Sequence, residues 1–280
     1  MSASSSVVAG ATFLENLDRR VLGAFICVDA ITGDSVVQPL PVSAGQWTVR
    51  PNRSGIYVIF NGPGFSPLTT QFTPSVPMPA RVSFEVTLQD PNRRYLPRRA
   101  NVLAPMTVPV IGPSPGGAVP NPAVTAALAN PAAVFDPQQV TLYPQPSAAT
   151  GPNWSTVRAS VTDTSTLPVG LPWAVLQVVR QSDGTVLATG QTDANGEALL
   201  AVVGLTLQTS TSGVGPVTVS TVAATVNVYF DPSVLTQPPG WVPNPDDILG
   251  NLSNAALLSG GQDVQLASGQ ELNLSFAIAV

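Results

Sequence analysis

Four arginines flank a single aromatic ring in Arg93-Arg94-Tyr95-Leu96-Pro97-Arg98-Arg99, the densest run of charge in the chain. Guanidinium groups pair bidentately with carboxylates and phosphates, so this stretch suits gripping an acidic partner, such as the surface of a neighbouring subunit. It equally suits a solvated arm at the end of a strand. Trp47, Trp154, Trp173 and Trp241 offer faces on which a sugar can stack, or anchors for a core or an interface. Trp241, inside the Pro/Gly-rich run that starts at Pro238, is expected at an interface. The candidate interface residues are therefore Arg93, Arg94, Tyr95, Arg98, Arg99 and Trp241.

The remaining chemistry-bearing residues point away from catalysis. The chain has no His, and all eleven of its basic side chains are Arg. Its one cysteine, Cys27, sits in the apolar run Ala24-Phe25-Ile26-Cys27-Val28; with no imidazole to activate it, it reads as a core thiol. Asp193-Ala194-Asn195-Gly196-Glu197 has the oxygen-rich look of a cation loop, yet lacks the twelve-residue spacing and closing bidentate Glu of an EF-hand. It reads as a hairpin turn. Asp246 and Asp247, following Pro245, stand where a helix dipole favours carboxylates. No catalytic residue, cofactor or metal is expected.

Elements that would position these residues follow from composition. Charged side chains fill only 10% of 280 positions, Gly (23) and Pro (29) are spread throughout, and the formal net charge is −5. Short strands joined by turns are expected, giving an all-β protein. Met1 to Ala100 holds nine of the eleven Arg and six of the sixteen acids, while the remainder is strongly acidic. That balance excludes a nucleic-acid binder, which would be basic overall with clustered cations on one face. So few charges, against about 25–35% on designed soluble surfaces, suggest an exterior partly covered by other subunits; a low-charge secreted domain fits the composition too. No apolar run reaches 18 residues, so no membrane-spanning helix is expected. The N-terminus lacks the basic region of a secretory signal, which leads us to expect synthesis in the cytoplasm.

Four segments are expected: a flexible leader over 1–15, an N-terminal β-sandwich over 16–105, a Pro/Ala/Gly-rich linker over 106–139, and a C-terminal β-sandwich over 140–280 with an excursion at 237–261. In the first sandwich, strands are expected over 21–29, 36–42, 47–50, 55–61 and 81–89. The last of these alternates cleanly, with Val82, Phe84, Val86 and Leu88 on one face. In the second, strands are expected over 156–162, 174–180, 185–190, 198–203, 217–220, 225–230, 264–266 and 271–280. Asp183-Gly184 and Asn195-Gly196 mark tight turns. Short helices are expected over 122–129, inside the linker, and over 245–258, where Ile248, Leu249, Leu252, Ala255 and Ala256 share a helical face.

Val28-Asp29-Ala30-Ile31-Thr32-Gly33, then Asn52-Arg53-Ser54-Gly55-Ile56-Tyr57, and again Thr192-Asp193-Ala194-Asn195-Gly196-Glu197 resemble the strand-and-turn pattern of carboxypeptidase-regulatory or transthyretin-like β-sandwiches. The resemblance implies two Ig-like sandwich domains that are generally non-catalytic. Modules of this kind occur as accessory components of contractile injection systems and phage-tail-like particles. The expected role is thus a structural or adaptor subunit of such a particle, in its baseplate, spike or cap region, with other protein subunits or copies of itself as partners. The alternative is a cell-surface or carbohydrate-binding module.

Overall fold

A computed structural model describes residues 21–65, 82–104, 137–205, 221–238 and 240–280. The leader, the helix expected at 122–129, the strand expected at 217–220 and most of the linker lie outside the described residues.

Among the described residues the first sandwich comprises β1 (Gly23–Asp29), β2 (Val42–Ser43), β3 (Thr48–Pro51), β4 (Ile56–Asn61), β5 (Val82–Leu88), β6 (Arg98–Ala104) and β7 (Gln138–Leu142). They make one sheet in the order β3-β4-β1-β7 and a second in the order β2-β5-β6. β5 shows why the alternating pattern works: Phe84, Val86 and Leu88 are buried while Ser83 and Glu85 are exposed. The core between the sheets joins Phe25, Tyr57, Ile59, Val86, Val102 and Val140. Phe25 and Tyr57, cross-strand partners on β1 and β4, stack with ring centroids 4.8 Å apart.

β7 corrects the expected domain boundary. Residues 140–142, expected to open the second sandwich, instead pair in parallel with β1, from Phe25 opposite Gln138 to Asp29 opposite Leu142. The cause is a short alternating pattern that the Pro-rich surroundings mask: Val140 and Leu142 enter the first core. The Gln138 side chain both accepts from Leu103 N–H and donates to Leu103 C=O, each at 2.9 Å, tying the strand to β6 of the facing sheet.

The second sandwich follows in β8 (Ser155–Asp163), β9 (Val175–Arg180), β10 (Val186–Gln191), β11 (Glu197–Val202), β12 (Thr221–Phe230), β13 (Leu258–Ala267) and β14 (Glu271–Ile278). Its sheets run β10-β9-β12-β13 and β11-β8-β14. Val157 and Val161 of β8, Leu176 and Val178 of β9, and Val226 and Phe230 of β12 meet in its core, each contributing roughly 1.5–3 kcal/mol by leaving water. Among the described residues most ladders are antiparallel, the usual arrangement in a sandwich, while β1 with β7 and β8 with β14 are parallel.

The excursion between β12 and β13 departs from expectation. The helix expected over 245–258 stops after five residues as α1 (Pro245–Leu249), capped by the Asn244 side chain, which accepts from Asp246 N–H at 3.2 Å. From Leu258 the chain is already strand, pairing residue by residue with β12 from Phe230 to Thr221. Between them residues 250–257 make turns rather than helix: Gly250 caps α1, Asn254 N–H donates to Asn251 C=O and Leu257 N–H to Asn254 C=O, both at 3.0 Å, and the Asn254 side chain accepts from Ala256 N–H at 3.1 Å, the local bonding by which Asn competes with a helix.

Candidate functional site

The arginine cluster is divided by the start of β6. Arg93 and Arg94 lie on the exposed turn between β5 and β6, with Arg93 at φ +53°. Asp90 builds this turn: its carboxylate accepts from the N–H groups of Asn92, Arg94 and Tyr95. The Tyr95 hydroxyl donates to Asp29 Oδ2 at 2.7 Å, and burial followed by that bond pushes the phenol well above its usual range.

Arg98 and Arg99 turn instead to the contact between the sandwiches. The Arg98 side chain is only 2% exposed; its Nη2 meets Asp246 Oδ2 of α1 at 2.7 Å, and its guanidinium lies 5.4 Å from the Tyr143 ring centre. Arg99 pairs with Glu85 across the ladder at 3.3 Å and stacks over Trp241 at 4.8 Å. Trp241 in turn packs on the second core. Among the described residues, then, Arg98, Arg99 and Trp241 join one sandwich of this chain to the other. Asp246, which completes the contact, escaped the sequence reading because a carboxylate at a helix start has a sufficient local explanation. β6 was equally hidden behind the arginines, although Ala100, Val102 and Ala104 carry its alternation.

The oxygen-rich turn at Asp193 is occupied by its own backbone. Asp193 Oδ1 accepts from Asn195 N–H at 2.8 Å and Glu197 N–H at 3.0 Å. Asn52 does the same for Ser54 and Ile56, both at 2.9 Å. Two of the three stretches that carry the family resemblance therefore share one turn geometry, an acceptor side chain bonding two and four residues ahead, while in the third Asp29 Oδ1 accepts from the N–H groups two and three ahead, Ile31 and Thr32. No cluster of three His, Cys, Asp or Glu side chains suited to a metal occurs among the described residues. No helix among them is long and apolar enough to cross a membrane.

Cys27 is fully buried on β1. Burial pushes its thiol from an ordinary 9 up to about 12, against smaller opposing effects of the Arg98 charge and the Tyr57 hydroxyl. Burial also pushes Tyr57 up to about 12, although its hydroxyl oxygen accepts from Leu40 N–H at 2.6 Å. A group that ionises less readily when folded leaves stability intact below its unfolded pKa and removes it as pH climbs towards the folded value. The loss therefore begins near pH 9 and continues to about pH 12. Between pH 9 and 10.5, denaturant titration should show the wild-type chain losing about 2 kcal/mol more than Cys27→Ala. Equal losses would mean the thiol ionises freely in the folded state.

The tryptophans also separate. Trp47 stacks on Phe84 at 4.1 Å and tilts against Phe65; Trp173, at φ +64°, packs on the second core. Trp154, the residue before β8, is half-buried and lines a cleft of about 820 Å³ on the loops of the first sandwich. The cleft walls are the turn after β1, the Asp90–Tyr95 turn and the connector from β7 to β8.

These features define a two-sandwich all-β protein joined through an Arg98–Asp246 and Arg99–Trp241 contact. No family model matches the chain, and no curated protein matches it. Among solved structures it is similar to "The Bacillus anthracis TIE protein", with 10% sequence identity and a TM-score of 0.26 over 92% of this chain. The chain spans about a third of that protein's length (34%).

Proposed function

We propose that the chain is a non-catalytic structural or adaptor subunit of a multiprotein assembly, in the setting of a contractile tail-like particle, where β-sandwiches of the kind its turn motifs resemble occur as accessory components. The observation that carries this reading is how its charged side chains are used. Asp29, Asp90 and Asp193 brace turns, while Arg98, Arg99 and Asp246 hold the two sandwiches together. Such side chains set the geometry of a scaffold. A stiff apolar loop adds to the picture: Leu167 is 82% exposed on a loop whose Val169 N–H and Ser165 hydroxyl both donate to Asp163. Exposed apolar tips on rigid loops suit contacts with other proteins.

Gradient sedimentation of the tagged protein from its native host, with mass spectrometry of the heavy fractions, tests the reading. Co-sedimentation with tube, sheath and baseplate-like proteins is expected. Migration as a free 28.8 kDa chain would overturn the proposal.

A further inference from the structure

The geometry points to the cleft formed by the first sandwich's loops and Trp154 as a binding site for a short, hydroxyl-rich oligosaccharide. Its walls are held in place before any ligand arrives. The Tyr95 hydroxyl fastens the β5–β6 turn to Asp29, Leu96 N–H donates to Tyr143 C=O at 2.9 Å, and Gln145 N–H donates to Arg94 C=O at 2.8 Å. The opposite wall is anchored in the second sandwich. Gly269 N–H donates to Trp154 C=O at 3.1 Å, and the Ser268 hydroxyl donates to Asn153 C=O at 2.9 Å. The Trp154 ring is backed by Gly151, where an added Cβ would fall 2.5 Å from the indole. One face of the ring is thus supported by backbone, on a residue that lines the cleft.

The polar lining decides the ligand class. Arg93 and Arg94 are exposed, line the cleft and form no ion pair among the described residues, although Arg94 lies 5.6 Å from the Tyr95 ring centre. Asp34 is exposed and lines the same space as the open carboxylate; Asp29 lines it too, with its oxygens already accepting from Ile31 and Thr32 N–H and from the Tyr95 hydroxyl. A phosphate or carboxylate would meet two carboxylates together with two guanidiniums, so its charge gains little. Sugar hydroxyls use both sets, donating to carboxylates and accepting from guanidiniums. The C–H face of a pyranose meets an indole in the way other amphipathic groups do. A volume of about 820 Å³ lies in the range of small-molecule sites and exceeds the need of one sugar ring.

The test is an array of neutral gluco-, manno-, galacto- and N-acetylglucosamine tetrasaccharides probed with the full chain, followed by calorimetry on any glycan retained. Wild type is expected to retain at least one. Trp154→Ala should weaken that binding at least about tenfold and Arg93→Ala about threefold. Arg93 is exposed, so its variant keeps the test decisive should Trp154→Ala fail to fold. Retention of no glycan by wild type, or equal retention by wild type and Arg93→Ala, would overturn the inference. Sedimentation of the native chain is a separate measurement, so failure here leaves the assembly reading standing.

Discussion

Gly196→Ala is expected to cost the protein about 3–5 kcal/mol, while Gly184→Ala costs only about 1 kcal/mol. Both glycines sit in tight turns of the second sandwich with left-handed backbone, at φ +82° and +71°. An alanine at either pays a similar conformational penalty, since its Cβ crowds the following carbonyl. They differ in what lies beyond. A Cβ at Gly184 meets nothing within 4 Å, whereas one at Gly196 would fall 2.4 Å from Val161 C=O, 2.7 Å from Leu171 N and 2.8 Å from Gly170 Cα. All three are backbone atoms in a packed corner, where Val161 N–H donates to Gly196 C=O and Leu171 N–H donates to Val161 C=O, both at 2.8 Å. No side-chain rotation relieves that contact, so the β8 corner must open. Urea titration followed by second-sandwich tryptophan fluorescence measures both variants; equal losses would refute the packing argument.

The second large effect is an asymmetry at the contact between the sandwiches. Asp246→Ala should destabilise by about 2–4 kcal/mol, because it strands the Arg98 cation at 2% exposure. The lower end reflects the Asp246 side chain, which is 54% exposed and already partly solvated. Arg98→Met should cost less than about 1 kcal/mol, and combining it with Asp246→Ala should restore most of the loss. The buried Nε and Nη1 of Arg98 have no hydrogen-bond partner, so an apolar side chain of similar length removes an existing desolvation cost. It forgoes the Nη2 bond to Asp246 and the guanidinium's contacts with the Tyr143 ring and hydroxyl. Thermal unfolding of the three variants completes the cycle. A double variant no more stable than Asp246→Ala alone would show that the stranded charge is not the cause.

The strands and turns were legible in the sequence to the extent that they are local. β5, β9 and β11 announce themselves by apolar residues between turn signals, and the turns at Gly184 and Gly196 by residues that tolerate left-handed backbone. The acceptor side chains of Asn52 and Asp193 reach only two and four residues ahead, within the span that a motif encodes. β6 and β7 were illegible for opposite reasons: one starts on arginines that resemble a solvated arm, the other emerges from a run of prolines. α1 is shorter than its periodicity suggests because Gly250 caps it and Asn251 and Asn254 turn the chain before β13 begins at Leu258.

Composition, alternation and turn chemistry by themselves determined that this is an all-β protein with two sandwiches and tight turns at Gly184 and Gly196, because those properties depend on neighbours a few residues apart. Tertiary structure alone decided that β7 completes the first sandwich, that Arg98 meets a carboxylate 148 positions later, and that Trp154 rather than Trp47 or Trp241 lines the cleft. Each of those outcomes depends on which surfaces the closed sheets leave facing one another. A charge or a ring has the same local sequence signature whether its partner is water, a core or a distant strand; only packing selects among them.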